Sequence, residues 1–158
     1  MTQNPPYFHP LVSPMQPEDV LAFPHQNEPQ TMQLSRQEIY DEGYSRWLIQ
    51  SGPAFTARTL DGQILGCMGV SELWDGRGAA WAILSALAGP HLRFLTTESR
   101  RFFSTCEFRR VEAYVDASFP QGRRWCSLLG FKCETPEPMA NFYDNGNAAY
   151  LYAMTRGH

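Results

Sequence analysis

The segment that follows the most apolar stretch of the chain has the residue types of an anion-binding turn. Ala79–Leu84 is almost entirely apolar, small residues fill much of Ser85–Gly89, and Pro90 then opens a predicted helix. The first N–H groups of a helix have no internal partner and the helix dipole is positive there, so such a turn favours phosphate. An ordinary strand-to-helix loop that binds nothing is the alternative.

Arginine is concentrated beside this turn. The chain has 16 acidic and 13 basic residues, a net charge of −3, and all the basic residues except Lys132 are Arg. Seven of these Arg lie in residues 93–124, against four acidic residues. Because Arg grips phosphate through a forked pair of donors, this favours an anionic ligand, although solvated helix faces would produce the same count. The negative total argues against a generally polybasic nucleic-acid binder.

The four cysteines give no support to a metal site. Cys67, Cys106, Cys126 and Cys133 form no CxxC pair and have no neighbouring His pattern. The sequence shows neither a secretory signal nor a stretch apolar enough to span a bilayer. We therefore expect no membrane association, reduced thiols in a cytoplasm and core packing as the ordinary role of each Cys.

The 158 residues, 43% of them apolar, fit a single domain whose first 34 residues are rich in proline. In that part the pattern predicts a short strand at Tyr7–Val12 and a short helix at Pro17–Phe23. A longer helix is predicted at Ser35–Gln50, where Ser35 and Glu38 form a capping box. Most of the regular secondary structure is therefore expected after residue 34.

Strands and helices alternate in the rest of the chain. Asp61-Gly62 is a strong hairpin signal, and in the strand after it alternation predicts Ile64, Gly66, Met68 and Val70 on one face and Leu65, Cys67 and Gly69 on the other. The predicted elements are strands Ala54–Leu60, Gln63–Leu73 and Ala79–Leu84, a helix from Pro90 to Cys106, strand Arg110–Ala117, a helix from Pro120 to Gly130, and strands Lys132–Phe142 and Ala148–Met154. This order predicts a mixed sheet with helices on both faces.

Three segments carry a resemblance to a known family: the strand RVEAYVDA (110–117), the helix FPQGRRWCSLLGF (119–131) and the ending AAYLYAM (148–154). They resemble the GNAT family (GCN5-related N-acetyltransferases), specifically the divergent GNAT-like proteins of tailed bacteriophages and prophages. With the element order, the resemblance covers about residues 7–156. It implies an α/β fold with a mixed, mostly antiparallel sheet, splayed fourth and fifth strands, and helices on both faces.

The resemblance also implies a cofactor, acetyl-CoA, held between the splayed strands with its pyrophosphate on the turn that follows. A substrate amine would attack the thioester, with a base to take the proton of an ammonium of pKa ~10 and an acid to protonate the leaving thiolate. Backbone N–H groups between the strands would stabilise the oxyanion. The implied cofactor-binding positions are Trp81, Ala82, Ile83, Leu84, Ser85, Leu87, Ala88, Gly89, His91, Leu92, Arg93 and Arg123.

The acid and the base that the resemblance implies are harder to assign to particular residues than the cofactor-binding positions. Glu72 and Asp116 are candidate bases beside the splayed strands, and a solvated strand end is the alternative for Asp116, which shares a face with Glu112 and Tyr114. Where the family often has a tyrosine acid, this chain has Cys126, whose thiol of pKa ~8.5 can donate a proton or simply pack in the core. Tyr143, Tyr150 and Tyr152 have no assigned place.

Two functions follow from these features. The first is an acetyl-CoA-dependent N-acetyltransferase, encoded by a phage and active in the host cytoplasm, with an unnamed amine of a protein or small molecule as acceptor. The second is a binding module that has lost catalysis and acts on a host protein or as a minor virion component. It is motivated by Cys126 and by Leu87–His91, which replaces the usual glycine-rich phosphate pattern of the family. Nucleic-acid binding is disfavoured, and a homodimer is left open.

Overall fold

The computed structural model describes residues 11–22 and 42–156, in which seven strands and three α-helices follow one another. The strands are β1 (Val12–Pro14), β2 (Ala54–Arg58), β3 (Ile64–Trp74), β4 (Arg77–Leu84), β5 (Arg110–Asp116), β6 (Lys132–Cys133) and β7 (Ala149–Thr155). The α-helices are α1 (Glu42–Ser51), α2 (Leu92–Thr105) and α3 (Pro120–Leu129), and 3-10 helices span Asp19–Ala22 and Gly89–His91. None of the helices in these residues is long and apolar enough to cross a membrane.

The strands form one sheet in the order β1-β2-β3-β4-β5-β7-β6. β4 and β5 are parallel and are connected through α2, whereas the other neighbouring strands are antiparallel. Helices cover both faces, with α2 and α3 over one apolar cluster and α1 over the other. The predicted fold class, a mixed and mostly antiparallel sheet with flanking helices, is confirmed.

Each face of the sheet has its own core. Leu95 of α2 and Leu129 of α3 are buried against Val111 of β5 in the larger cluster. Leu48 of α1 is fully buried in the smaller cluster, which also contains Val20 of the first 3-10 helix. The amphipathic pattern of each helix therefore places its apolar stripe on the sheet.

A β-bulge in β3 changes the predicted alternation. Ala57 pairs with Gly66 but Arg58 pairs with Ile64, so Leu65 is one extra residue. Leu65 consequently joins Met68 in the larger core cluster, while Ile64 lies in the smaller cluster on the opposite face. The prediction that Ile64 and Met68 share a face is wrong because an inserted residue inverts the alternation on one side of it.

The predicted strand Lys132–Phe142 is also wrong. Only Lys132–Cys133 forms a strand, and the segment after it returns to the sheet at a single bridge between Met139 and Ala149. Pro136 and Pro138 lie between these points and have no N–H to donate to a ladder. The segment 134–148 is therefore a long loop beside β5 and β7.

The N-terminal predictions are tested only in part. The predicted strand Tyr7–Val12 lies almost wholly outside the described residues, and β1 begins at Val12. The predicted helix Pro17–Phe23 is a 3-10 helix over Asp19–Ala22, with Phe23 outside the described residues. Residues 35–41, which include the capping box, also lie outside, whereas the remainder of that predicted helix is α1.

Candidate functional site

β4 and β5 separate where the sequence predicts a ligand. They pair only through Arg77 with Arg110, Gly78 with Val111 and Ala79 with Glu112. Beyond Ala79, β4 continues to Leu84 and β5 to Asp116 without pairing to each other in the described chain. We call this gap the V, with a joined end at Ala79 and Glu112 and an open end at Leu84 and Asp116. Backbone groups that face the V are available to a ligand.

A cavity of about 80 Å³ lies in the V, under α2 and α3. Three small side chains of β4 and β5 make room for it, Ala80, Ala82 and Ala113, and Trp125 of α3 forms part of its wall. The Trp125 indole donates a hydrogen bond of 2.9 Å to Thr96 of α2, which ties the two helices together. The V therefore contains an apolar site that α2 and α3 partly cover.

Ala82 and Leu84 of β4 line the cavity with their side chains. The Trp81 and Ile83 side chains pack together in the smaller cluster on the opposite face, so these two residues offer the V only their backbone. The Trp81 indole is 4% exposed and its N–H has no hydrogen-bond partner among the described residues, but it lies on that opposite face rather than in the V.

The turn from Ser85 to Arg93 uses most of its donors internally. Ala88 donates its backbone N–H to Ser85 and His91 to Ala88, while Ser85 itself donates to Leu65 of β3. The N–H of Leu87 bonds the Ser85 hydroxyl, and that of Leu92 bonds Gly89. The turn is consequently a poorer cradle for phosphate than its small residues predict.

What the turn does offer is an exposed helix start. Gly89 is exposed, and a Cβ added there would meet nothing within 4 Å. No side chain caps the N-terminus of α2, and Arg93 in its first turn is exposed. His91 and Leu92 are exposed beside it, whereas Ala88 is buried. An anion approaching Gly89 would therefore meet the positive end of α2 and one guanidinium.

The arginines of residues 93–124 divide into engaged and free groups. Arg123 donates to the Tyr152 hydroxyl at 3.0 Å and lies over the Tyr150 ring at 3.6 Å, so its guanidinium is turned to β7. Arg93, Arg100 and Arg124 make no ion pair or hydrogen bond through their side chains within residues 11–22 and 42–156. Those free cations, rather than Arg123, are available to an anion.

Asp116 stands at the open end of the V. Its carboxylate accepts hydrogen bonds from the Ser118 N–H and hydroxyl and from the Asn147 amide. Burial alone would raise its pKa, but the bonds from Asn147 and Ser118 outweigh it and hold the pKa of Asp116 below the ordinary value. Asp116 is thus a fixed anion bound by neutral donors, and no ion pair within the described part of the chain compensates its negative charge.

Cys126 lines the cavity from α3, and burial raises the pKa of its thiol to about 12. It therefore keeps its proton at neutral pH. Tyr143, from the loop 134–148, lies close enough that burial, the charge of Asp116 and Cys126 all raise the pKa of its hydroxyl. Tyr143 is a hydroxyl donor near Asp116 that the sequence could not place, because the loop carrying it has no regular pattern.

Glu72 lies at the other end of the V. It pairs with Gly78 of β4, beside the joined strands, and is exposed. The structure therefore does not bring Glu72 to the open end with Asp116, because β3 runs antiparallel to β4 and its C-terminal end meets the start of β4. The two predicted bases therefore lie at opposite ends of the V, Glu72 at the joined end and Asp116 at the open end.

An ion network that the sequence did not predict is buried at the joined end of the V. Glu112 is 2% exposed and receives two hydrogen bonds of 2.8 Å from Arg77, one of 2.8 Å from Arg110 and one of 2.8 Å from the Tyr114 hydroxyl. Although burial opposes ionisation, these donors lower the pKa of Glu112 to about 2. Arg110 also binds Glu134. Glu112 shares its strand face with Asp116, for which a solvated strand end is the alternative, but the two arginines permit Glu112 to be buried.

Comparison with known proteins bears on the fold. No protein-family model matches the sequence, and no curated protein matches it. A candidate phosphinothricin N-acetyltransferase has a TM-score of 0.69 at 11% identity, over 93% of this chain and 98% of its own. A candidate acetyltransferase from Acinetobacter baylyi ADP1 gives 0.66 at 14%, over 92% of each chain.

The spermidine/spermine N-acetyltransferase SpeG of Vibrio cholerae has a TM-score of 0.61 at 11% identity, over 91% of each chain. At such identities the similarity shows the fold and leaves the activity to be argued from the site. The separation of β4 and β5, the turn into α2 and the near-complete coverage of each aligned chain all indicate the same fold. This chain has the GNAT-like fold of these N-acetyltransferase structures.

Proposed function

We propose that this protein is a CoA-dependent N-acyltransferase that binds acetyl-CoA in the V. The observation that carries the proposal is that β4 and β5 pair over three residues and then separate around an apolar cavity. The backbone groups of β4 that face this gap can bond the thioester carbonyl of an acyl donor. When bound, acetyl-CoA supplies an acyl carbon that an amine can attack.

The chain's own residues divide the work along the V. The N–H of Gly89 and the Arg93 guanidinium, at the exposed start of α2, are the groups offered to the cofactor phosphates. Backbone groups of β4 beyond Ala79 take the chain that links the phosphates to the thioester. Cys126 of α3 forms part of the cavity wall beside this chain.

At the open end, Asp116 attracts and orients the ammonium form of the acceptor. Its lowered pKa makes it a good anionic partner and a weak base, so the proton leaves the amine through water rather than by direct transfer to a strong base. Tyr143 is the nearby hydroxyl that can donate to the leaving sulfur. Both Tyr143 and Cys126 stay protonated at neutral pH, and both are donors of raised pKa.

We also propose a class of acceptor amine and a phage origin for this protein. The structural neighbour from Vibrio cholerae is named for spermidine and spermine, and the anionic Asp116 favours a cationic amine here as well. The resemblance to phage proteins supports a phage-encoded enzyme that acts in the host cytoplasm on a protein or small amine. Screening polyamines and peptide amines as acceptors tests this choice.

One observation favours a second function, that of a binding module without catalysis. Five N–H groups of the turn, those of Ser85, Leu87, Ala88, His91 and Leu92, already have partners in the protein, and Pro90 has none to give. A turn with so few free donors would hold pyrophosphate weakly. In that case the fold would act through contact with a host protein or within a virion.

Calorimetric titration with acetyl-CoA distinguishes the two functions. We expect saturable binding to the wild type and at least about 10-fold weaker binding to Gly89→Asp, because its carboxylate would face the phosphates. Leu60→Asp is the matched control, since it adds the same charge at a side chain that is 92% exposed in the β2–β3 hairpin. No binding at millimolar acetyl-CoA would remove the enzyme hypothesis, and retention of a host partner by both variants would then support the module.

A further inference from the structure

The cavity in the V is not confined to its open end. Near the open end it is lined by Leu84 of β4 and by Phe119, just before α3. It also contacts Leu129 and Phe131, at the other end of α3, and Met68 on the neighbouring strand β3. Because α3 runs back along β5, these residues lie toward the joined end of the V. The empty space therefore continues under the helices.

Aromatic rings close this inner end. Phe55 and Phe102 have ring centroids 5.0 Å apart, Phe102 and Phe103 are 5.6 Å apart, and Phe103 and Phe131 are 5.2 Å apart. All four rings line the cavity. Such a continuous aromatic wall is rigid and apolar, so it sets a fixed limit on what the cavity can hold.

Most of the side chains that line the cavity are apolar or aromatic. No charged side chain lines the cavity among the described residues, and the hydroxyl of Ser99 is already bonded to the Met68 sulfur at 3.4 Å. A carboxylate-bearing acyl chain would have no cationic partner and would be strongly disfavoured there. The site thus discriminates in favour of apolar, uncharged chains.

The size of the cavity leaves room for more than an acetyl group. One water molecule needs roughly 10–15 Å³ of cavity space, and the cavity has about 80 Å³. It can therefore take roughly five or more water-sized groups, of which the thioester would occupy part and the acetyl methyl only one.

We propose that the acyl donor of this protein is a short-chain aliphatic acyl-CoA of about four to six carbons, its chain lying between Ala113 and the four-phenylalanine wall. The inference rests on the proposed function. The transfer itself breaks the thioester C–S bond and forms the amide C–N bond. The amine loses one proton, through water, and the departing thiolate takes up one, so the products are an N-acylated amine and CoA.

The chain-length test uses calorimetry with CoA, acetyl-CoA, butanoyl-CoA, hexanoyl-CoA and succinyl-CoA on the full-length protein. Burial of each added methylene is worth about fourfold in affinity. Butanoyl-CoA should therefore bind about 10- to 15-fold tighter than acetyl-CoA, and succinyl-CoA more weakly than butanoyl-CoA.

Two variants locate the chain. Ala113→Leu fills the cavity and should abolish the gain from butanoyl-CoA, so that butanoyl-CoA and acetyl-CoA bind this variant within about threefold of each other. Leu129→Ala enlarges the inner end and should move the preference toward hexanoyl-CoA, with Leu128→Ala, at a neighbouring side chain that is 57% exposed, as its matched control. Thermal unfolding of each variant, with and without CoA, verifies that it folds.

The outcomes separate this proposal from the proposed function. If CoA and acetyl-CoA bind but chain length brings no gain, the longer-chain donor is overturned and the N-acyltransferase proposal stands. The donor proposal is also overturned if Ala113→Leu keeps the full butanoyl gain. If no CoA species binds, the proposed function itself fails.

Discussion

β5 carries a carboxylate at each end of the V, and the two have opposite surroundings. Glu112, at the joined end, is held by the guanidinium groups of Arg77 and Arg110. Asp116, at the open end, is held by the neutral donors of Ser118 and Asn147. Glu112 and Asp116 are four residues apart, and because every second side chain of a strand lies on the same face, both carboxylates project from one face of β5.

The difference lies in charge rather than in position. Two arginines neutralise Glu112 and permit its burial, so it fastens β5 to β4 where the strands join. Asp116 is ionised by hydrogen bonds that add no positive charge, and it makes no ion pair within residues 11–22 and 42–156. The same strand therefore has a structural end and an end that we propose receives a cationic substrate.

The largest expected effect tests the structural end. Glu112→Gln should lower the free energy of unfolding by about 3 kcal/mol, because Arg77 and Arg110 would keep their charges with no central partner. Their side chains are 27% and 29% exposed, which keeps the cost at the low end for a buried pair. Urea unfolding measures it. Asp116→Asn should cost less than about 1.5 kcal/mol, and equal costs would erase the distinction between the two ends.

Catalysis tests the open end. Asp116→Asn should lower kcat/KM for acyl transfer about 100-fold, since the acceptor ammonium loses its anionic partner. Glu72→Gln, a neutralisation beside the joined end, should leave kcat/KM within about twofold. An acyl-transfer assay with a polyamine acceptor measures both. A larger loss at Glu72 would move the site to the joined end.

A smaller effect separates the two donors near Asp116. Tyr143→Phe should lower kcat about 10-fold with little change in KM, because it removes a hydroxyl that can bond the leaving sulfur. Cys126→Ala should leave kcat nearly unchanged if the thiol only packs against the cavity. Single-turnover kinetics distinguishes the variants, and the reverse order of losses would assign the donor to Cys126.

The smallest effect is a pH dependence. Glu112 has a folded-state pKa of about 2 against an ordinary 4.5. Its stabilising contribution is therefore complete above about pH 4.5 and is lost as the pH falls toward 2, at no more than about 1.4 kcal/mol per pH unit. The stability gap between wild type and Glu112→Gln should narrow by about 1 kcal/mol between pH 4.5 and 3.5. A gap independent of pH in that range would show that the ion network is not its cause.

Local rules explain which elements were predictable. Gly62, with φ of +90°, makes the hairpin turn that Asp61-Gly62 predicts, and Gly130, with φ of +100°, ends α3. Both are decided by residues adjacent in sequence. The bulge at Leu65 was not predictable in this way, because it depends on how β3 fits β2 across the sheet.

The sequence by itself determined the order of elements, the small-residue turn after β4 and the helix that ends in Leu-Gly-Phe. Periodicity and turn chemistry act over a few neighbouring residues, so both can be recognised in the amino-acid sequence alone. Only the tertiary structure decided that Glu72 lies away from Asp116, that Arg123 binds β7, and that Tyr143 approaches Cys126. It also decided that four phenylalanines from β2, α2 and the end of α3 close one cavity. Each of these depends on segments far apart in sequence, and their meeting is fixed by the packing of helices on the sheet.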